Sequence, residues 1–322
     1  MEHKVSFERI AIIGQGLVGS SISRAARKFS VVHNLVLTDA SPRVRKRVAE
    51  LGLGLVTETS PAAVTNADLI IICVPVGQYG SVAREIRDYL KPGAIVCDVG
   101  SVKKSVARDM LPHIPNGVYF VPSHPVAGTE DSGPDAGLAD LFVNRWCILT
   151  PVNDAQKVPI EKITAFWRAL GSNVELMSVE RHDEVLALIS HLPHLIAFTI
   201  VGTASRHEES TDSEVIKFSA GGFRDFTRIA ASNPTVWRDI FLNNRDVVLE
   251  MVGRFSEDLA LLSSAIRRGD GETLVEQFSK SRIVRRRIIA AGQDTSAADF
   301  GRHQQPKRGK SFVSRPYASA DE

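Results

Sequence analysis

Cysteine is scarce in this chain: Cys73, Cys97 and Cys147 are the only three among 322 residues, each inside an apolar, strand-like run. That excludes a disulfide framework and a cysteine-based metal centre, and leaves buried, reduced thiols as the expectation. An excess of one charge is also missing. Thirty-nine Lys and Arg stand against 37 Asp and Glu, a net charge of +2, so no nucleic-acid surface is expected. The densest basic run, R-I-V-R-R-R at residues 282–287, alternates with Ile283, Val284, Ile288 and Ile289, the pattern of a solvated helix face. No apolar stretch is expected to approach the ~20 residues of a membrane span. Ile10 already lies in the first strand, with no signal-like segment before it. A cytoplasmic protein is therefore expected, without membrane or nucleic-acid partners.

What is present is a chain of two characters, long enough for two domains. Residues 9–13 form an apolar run that ends in G-Q-G-L-V-G, with Gly14, Gly16 and Gly19 at the spacing G-x-G-x-x-G and a helical stretch at 20–29 behind them. The motif is informative only between a strand and a helix, which is its context here. Gly14 permits a tight turn, Gly16 lets a pyrophosphate approach, and Gly19 lets helix and strand pack closely. Gln15, Leu17 and Val18 fill the loop and open the helix, whose free N–H groups suit an anion. A second strand, residues 34–38, ends in Asp39, twenty residues after Gly19. A carboxylate there accepts from ribose hydroxyls and repels a 2′-phosphate, which favours NAD, with NADP possible because Ser41 and Arg43 lie close by.

Strands and helices then alternate as in a doubly wound α/β sheet. Fully apolar strands at 67–74 and 94–99, suited to burial on both faces, end at Val74-Pro75 and Gly100-Ser101. Ser101 is the expected N-cap of a helix at 102–111. The stretch 118–130 reads V-Y-F-V-P-S-H-P-V-A-G-T-E. A strand there should run out into a loop carrying His124 between two prolines. The alternative is a loop histidine with an ordinary hydrogen-bonding role. Because three successive strand ends meet at the carboxyl edge of such a sheet, Ser101 and His124 converge on the cofactor side. Further strands at 145–150 and 173–176 flank a helix at 160–170.

After about Val179 strand-like runs vanish and helical spacing takes over at 180–206, 212–218, 234–267 and 271–291. In S-H-L-P-H, His191 and His194 share a helix face, and Pro193 frees the carbonyl of Ile189 and bends the segment. A metal pair and plain core histidines are the alternatives, although zinc helices more usually space histidines by four. In G-G-F-R-D-F-T-R, residues 221–228, an arginine could clamp a carboxylate or simply face solvent. The helix at 235–267 carries more apolar surface than one small domain buries, which suits a homodimer interface. Residues 293–322 are polar and aperiodic, as in a disordered tail. The domains expected are thus 1–178, a Rossmann-type dinucleotide-binding domain, and 179–292, an all-helical substrate and dimerisation domain.

Taken together, the glycine loop, D-V-G-S-V-K (98–103), S-H-P-V-A-G-T-E (123–130), H-D-E-V-L-A-L-I-S-H-L-P-H (182–194) and G-F-R-D-F-T-R-I-A-A-S-N-P-T-V-W-R-D-I (222–240) resemble the prephenate, arogenate and cyclohexadienyl dehydrogenases of tyrosine biosynthesis. The resemblance runs from about residue 9 to 290, in the family's order. It implies an NAD-dependent oxidative decarboxylation in which His124 takes the proton of a ring hydroxyl. It also implies that Ser101 orients His124, that Arg228 clamps a substrate carboxylate, and that His191, His194, Trp237 and Thr129 line the pocket. Glu130 and Asp225 would form a polar gate. The homodimer and the monofunctional form are further expectations. Two rival readings are a dehydrogenase of the 3-hydroxyacid type, which would want a motif lysine, and a silent NAD-binding regulator, which would need no base.

Overall fold

The computed structural model describes residues 7–129, 131–152, 157–211 and 214–290. Glu130 and the expected tail at 293–322 lie outside them. In chain order the elements are β1 (Phe7–Ile13), α1 (Leu17–Lys28), β2 (Val32–Thr38), α2 (Pro42–Glu50), β3 (Leu55–Val56), α3 (Ser60–Val64), β4 (Leu69–Ile72), α4 (Tyr79–Ile86), β5 (Ile95–Asp98), α5 (Lys104–Met110) and β6 (Tyr119–Phe120). There follow β7 (Ser123–Pro125), β8 (Trp146–Leu149), α6 (Lys157–Ala169), β9 (Asn173–Leu176), α7 (Val179–Leu186), α8 (Leu192–Thr211), α9 (Gly221–Thr227), α10 (Pro234–Asn243), α11 (Arg245–Arg268) and α12 (Gly271–Ala290).

The first six strands form a parallel sheet in the order β3-β2-β1-β4-β5-β6, the doubly wound arrangement. Its strands are apolar on both faces because both are covered. Alternate residues of β1 and β4 divide between two cores. Ile10, Ile12, Leu69 and Ile71 pack with Ile22, Ala25 and Ala26 of α1. Ala11, Ile13, Ile70 and Ile72 pack with Tyr79, Val82, Val106 and Met110 on the other face. Ile240 and Trp237 of α10 join this second core, so part of the helical half is seated on the sheet.

Two expectations need correction here. The strand at 118–121 does not run out into a loop. After two paired residues in β6 the chain re-forms as β7 in a second, three-stranded sheet, order β7-β8-β9. His124 lies in β7, opposite Ile148 of β8 in antiparallel register. Pro125 fits because β7 is an edge strand, where a missing N–H costs no ladder bond. Nor is Ser101 the cap of α5. That helix starts at Lys104, and no side chain of its own N-cap residue serves it.

The helical half departs from expectation where polar side chains interrupt the pattern. The stretch 180–206 is broken at Ala187–His191 by a π-turn just ahead of Pro193, the wide turn expected where proline leaves the carbonyl of Ile189 without a donor. At 235–267 the helix breaks at Asn244, which ends α10 and bonds through its side chain instead. Of the expected helix at 212–218, residues 212–213 lie outside the described set and Ile216–Phe218 make one 3-10 turn. Val179–Thr211 is, by length and composition, apolar enough to cross a membrane, with 28% of its most apolar window buried. That corrects the expectation of no such stretch. Ser190, His191 and His194 had masked the run, and His191 turns inward. Packing divides the chain into two compact units, Met1–Glu257 and Asp258–Glu322.

Candidate active site

At the end of β1 Gly14 has φ +92°, and a Cβ there would stand 2.4 Å from the Cys73 carbonyl oxygen. Val74, next in line, presses on the same turn. A Cβ on Gly19 would stand 2.0 Å from the Gly14 oxygen, whereas one on Gly16 meets nothing within 4 Å. The loop is thus closed below and open above. Gly16 heads α1 without any side-chain cap, so the first N–H groups of the helix face outward unserved. The Gln15 side-chain amide nitrogen is buried without a partner among the described residues. Asp39 borders the loop and accepts from the backbone N–H of Gln15 and of Ser41, both at 2.8 Å. Unserved helix N–H groups, an open glycine and a carboxylate beside them fit a dinucleotide: Gly14 to Gly19 for its pyrophosphate, Asp39 for its ribose. Val74 stands beside this loop, and Pro75, just beyond it, is exposed.

On the neighbouring strand ends a second set of groups meets. Asp98, the last residue of β5, is fully buried and ion-paired with the equally buried Lys103. Its carboxylate accepts from Gly100 N (2.8 Å) and Ser123 N (3.1 Å), while Lys103 Nζ donates to Ser123 O (2.6 Å). Both backbone groups of Ser123 are thereby held, and His124 is aimed by its neighbour. Such a pair is costly to bury, and here every charge is matched by further hydrogen bonds. His124 Nδ1 meets His182 Nε2 at 2.8 Å, and His182 Nδ1 meets Asp183 Oδ1 at 2.8 Å. Asp183 also accepts from the N–H groups of Lys103 (2.8 Å) and Lys104 (2.9 Å), which makes it the cap that α5 lacks locally. Burial, then the charges of His182, Lys103 and His191, hold His124 well below the ordinary imidazole range, so it is neutral at pH 7.

The other expected histidines gather beside it. His191 sits in the π-turn, fully buried, and burial lowers its pKa to about 4. The Asn244 amide approaches its Nδ1 at 3.3 Å, which leaves the proton on Nε2. That Nε2 makes no hydrogen bond of normal geometry, although the Ser101 backbone lies near enough to bear on the ring. His194 donates from Nδ1 to Ser190 O at 2.9 Å and stacks on Trp237, ring centroids 3.5 Å apart. Burial first, and the charge of Arg228 in part, lower its pKa. Ser101, His124, His191, His194, Trp237 and Arg228 are therefore linked in one cluster. Asp225 is exposed and faces Arg224 at 3.7 Å, and Thr129 accepts from Asp131 N, so neither shows a contact with that cluster.

The profile of the prephenate dehydrogenase nucleotide-binding domain matches residues 22–176, and that of the prephenate dehydrogenase dimerization domain matches residues 178–280. This chain belongs to the prephenate dehydrogenase family. Among relatives within and around that family, a cyclohexadienyl dehydrogenase of Zymomonas mobilis is 45% identical over 280 residues, 87% of this chain and 95% of its own. A prephenate dehydrogenase of Bacillus subtilis is 32% identical over 86% of this chain and 75% of its own. In three dimensions, a prephenate dehydrogenase from A. aeolicus, solved with hydroxyphenyl propionate and NAD+, superposes with a TM-score of 0.82. It is 32% identical and covers 89% of this chain and 100% of its own.

Within this family member, sequence reasoning passed over Asp98, Lys103, His182 and Asp183 as functional residues, although each stands inside a quoted motif. A signal was present. An Asp and a Lys five apart around a Gly-Ser turn, in a run otherwise apolar enough to be buried, must pair. An adjacent His-Asp at the start of an amphipathic helix has no comparable signature, because its partners come from β7 and α5.

Proposed function

We propose that this chain oxidatively decarboxylates prephenate to 4-hydroxyphenylpyruvate, or arogenate to tyrosine, with NAD as oxidant and His124 as the base. The observation that carries the reading is His124 itself: buried, neutral, with one ring nitrogen engaged by His182 and the backbone of its neighbour Ser123 fixed by the Asp98–Lys103 pair. Family membership and the names of its relatives support the same chemistry. NAD bound on the glycine loop supplies the hydride acceptor. The protein's own part is then to hold the substrate and move one proton. His124 Nε2 accepts the proton of the ring hydroxyl as that carbon is oxidised, and a neutral imidazole is required for this. Ser101 orients the hydroxyl against it. Arg228 clamps a carboxylate present in the substrate from the outset. His191 offers a buried Nε2–H, and His194 on Trp237 forms a wall beside it. Asp39 makes NAD the preferred cofactor over NADP.

We read residues 1–178 as the cofactor half and 179–292 as the half for substrate and dimerisation. The exposed apolar positions Leu188, Ile189, Ile200, Leu242 and Leu249 then belong against a second copy in the cytoplasm, not a bilayer. The test is an assay of purified full-length protein, following reduced nicotinamide, with prephenate or arogenate and with NAD or NADP. Turnover of either substrate with NAD ahead of NADP is expected. No turnover with either would overturn the assignment, and higher efficiency with NADP would overturn the role of Asp39.

A further inference from the structure

His124 is only useful as a base if the right nitrogen is bare. A neutral imidazole carries its proton on either Nδ1 or Nε2, and the two tautomers are close enough in energy that a single hydrogen bond selects between them. The partners of His124 make that selection in three steps. Asp183 is a carboxylate, its pKa held down by His182 and by the Lys103 and Lys104 N–H groups despite burial. An ionised carboxylate only accepts, so the nitrogen facing it at 2.8 Å, His182 Nδ1, must bear a proton. His182 is buried and its pKa is lowered, chiefly by that burial, so it carries no second proton and its Nε2 presents a lone pair. The nitrogen facing that lone pair at 2.8 Å, His124 Nδ1, must then be the donor.

We propose that the His182–Asp183 pair is a positioning device for the base: it locks the proton of His124 on Nδ1 and so leaves Nε2 bare toward the substrate. This rests on the reading of His124 as the base. The chain of bonds has a second consequence. When Nε2 takes the hydroxyl proton, one O–H bond breaks and one N–H bond forms, and His124 becomes an imidazolium. Its Nδ1–H still points at His182, whose far side rests on the Asp183 carboxylate, so the new charge is answered within the buried network. That answer is needed because the other groups facing His124 are mixed. Lys103 opposes a positive charge, His191 is itself neutral at pH 7, Asp98 is already matched by Lys103, and Cys147 on β8 is a buried neutral thiol.

The pair is also well fixed. Asp183 is held by the start of α5 through Lys103 N and Lys104 N, and its own carbonyl accepts from Asn244 Nδ2 at 3.0 Å. Asn244 is the residue at which the long apolar helix breaks, so that interruption serves the same network. The rings of His124 and His182 meet edge to face, centroids 5.0 Å apart, which keeps the Nδ1–Nε2 line open.

The experiment uses full-length protein labelled with 15N at histidine, the His124 signals being assigned by their loss in His124→Ala. Long-range 1H–15N correlations distinguish the protonated from the bare ring nitrogen. In the unaltered protein His124 is expected in the Nδ1–H form at pH 7. His182→Leu removes the acceptor and should release that tautomer. With prephenate as substrate it should also lower kcat by about 100-fold or more, with KM changed little, as expected when a base loses the group that orients it. His182→Gln keeps an acceptor oxygen and should restore part of both. Finding His124 in the Nε2–H form in the unaltered protein would overturn the proposal, whatever the kinetics. So would a His182→Leu protein with the same tautomer and turnover within twofold. The reading of His124 as the base fails separately, through normal turnover in His124→Ala, and the tautomer spectrum does not depend on it. Should His182→Leu fail to fold, the spectrum of the unaltered protein and the His182→Gln kinetics still decide.

Discussion

Around the glycine loop the working groups are backbone N–H groups, and regular structure puts them in place: a strand ends, three glycines turn, a helix begins. Around His124 the working groups are side chains, and departures from regular structure put them in place. A two-residue break separates β6 from β7, a π-turn carries His191, and Asn244 interrupts an apolar helix. The two regions therefore tolerate change differently. In the first, only what a Cβ would strike matters, so identity is narrow at Gly14 and Gly19 and loose at Gly16. In the second, side chains hold one another across distant parts of the chain, as His182 holds His124 and Asn244 meets His191, and removal of one leaves buried partners unserved.

The sharpest way to break that contrast lies within the glycine loop. Gly19→Ala would place a methyl group 2.0 Å from the Gly14 oxygen, inside any contact distance and against backbone that cannot move aside. Loss of NAD binding, with visible destabilisation, is expected. Gly16→Ala meets open space and should fold normally, its cost falling only on the approach of the cofactor. Thermal unfolding with and without NAD measures both. Equal melting temperatures for the two apo variants would show that the loop is not closed as described.

A second test separates the base from the clamp. A positioned base contributes roughly 10²–10⁴-fold, so His124→Ala should lower kcat by that much with little change in KM. Arg228 acts on a charge present throughout binding, so Arg228→Ala should chiefly raise KM. The arginine is exposed, and one charge-assisted bond there is worth about 1.5–3 kcal/mol, or a rise in KM on the order of tenfold to a hundredfold. Steady-state kinetics of both variants decide it. A His124→Ala enzyme with near-normal turnover, or an Arg228→Ala enzyme with unchanged KM, would remove that residue from its role.

The same contrast explains what could be read from the sequence. The six-stranded sheet was legible because its strands are short apolar runs between helix starts, and β4 (Leu69–Ile72) and β5 (Ile95–Asp98) fall inside the runs at 67–74 and 94–99. The second sheet was not. Nothing local in Ser123–Pro125 says that its partner is β8, and two prolines argue for a loop unless the strand is known to be an edge. His124, His191, His194 and Trp237 stood out as chemistry-bearing residues in irregular contexts, and the structure gathers them. Asp183 was invisible because two of its three tasks, capping α5 at the N–H groups of Lys103 and Lys104, depend on an element about 80 residues away, and the third, holding the adjacent His182, gains its use only from His124. Asn244 was read as one more helical residue for the same reason.

Acid also distinguishes the two regions. Histidines gather only on the His124 side, where His124, His182 and His191 all have lowered pKa values, chiefly through burial. The unfolded chain takes up protons near pH 6.5 at these rings, while the folded chain does not until lower pH. Stability contributed by keeping them neutral is therefore complete above pH 6.5 and is lost as pH falls toward the folded values. For His191 that window runs from the ordinary value of 6.5 down to about 4, a loss of about 3 kcal/mol at 1.36 kcal/mol per unit. His124 and His182 add to it in the same direction. Asp183, lowered in the folded state, begins to release stability only below its ordinary value of 3.8, so it does not confuse the measurement above pH 4.5. Urea unfolding at fixed protein concentration, between pH 7.5 and 4.5, should show the midpoint falling throughout, followed by histidine-side signals such as Trp237 fluorescence. His191→Gln should flatten its share of that slope. A midpoint that stays level from pH 7 to 5 would mean that these rings take up protons as readily in the folded protein as in the unfolded chain, and that the neutral network around His124 is not as described.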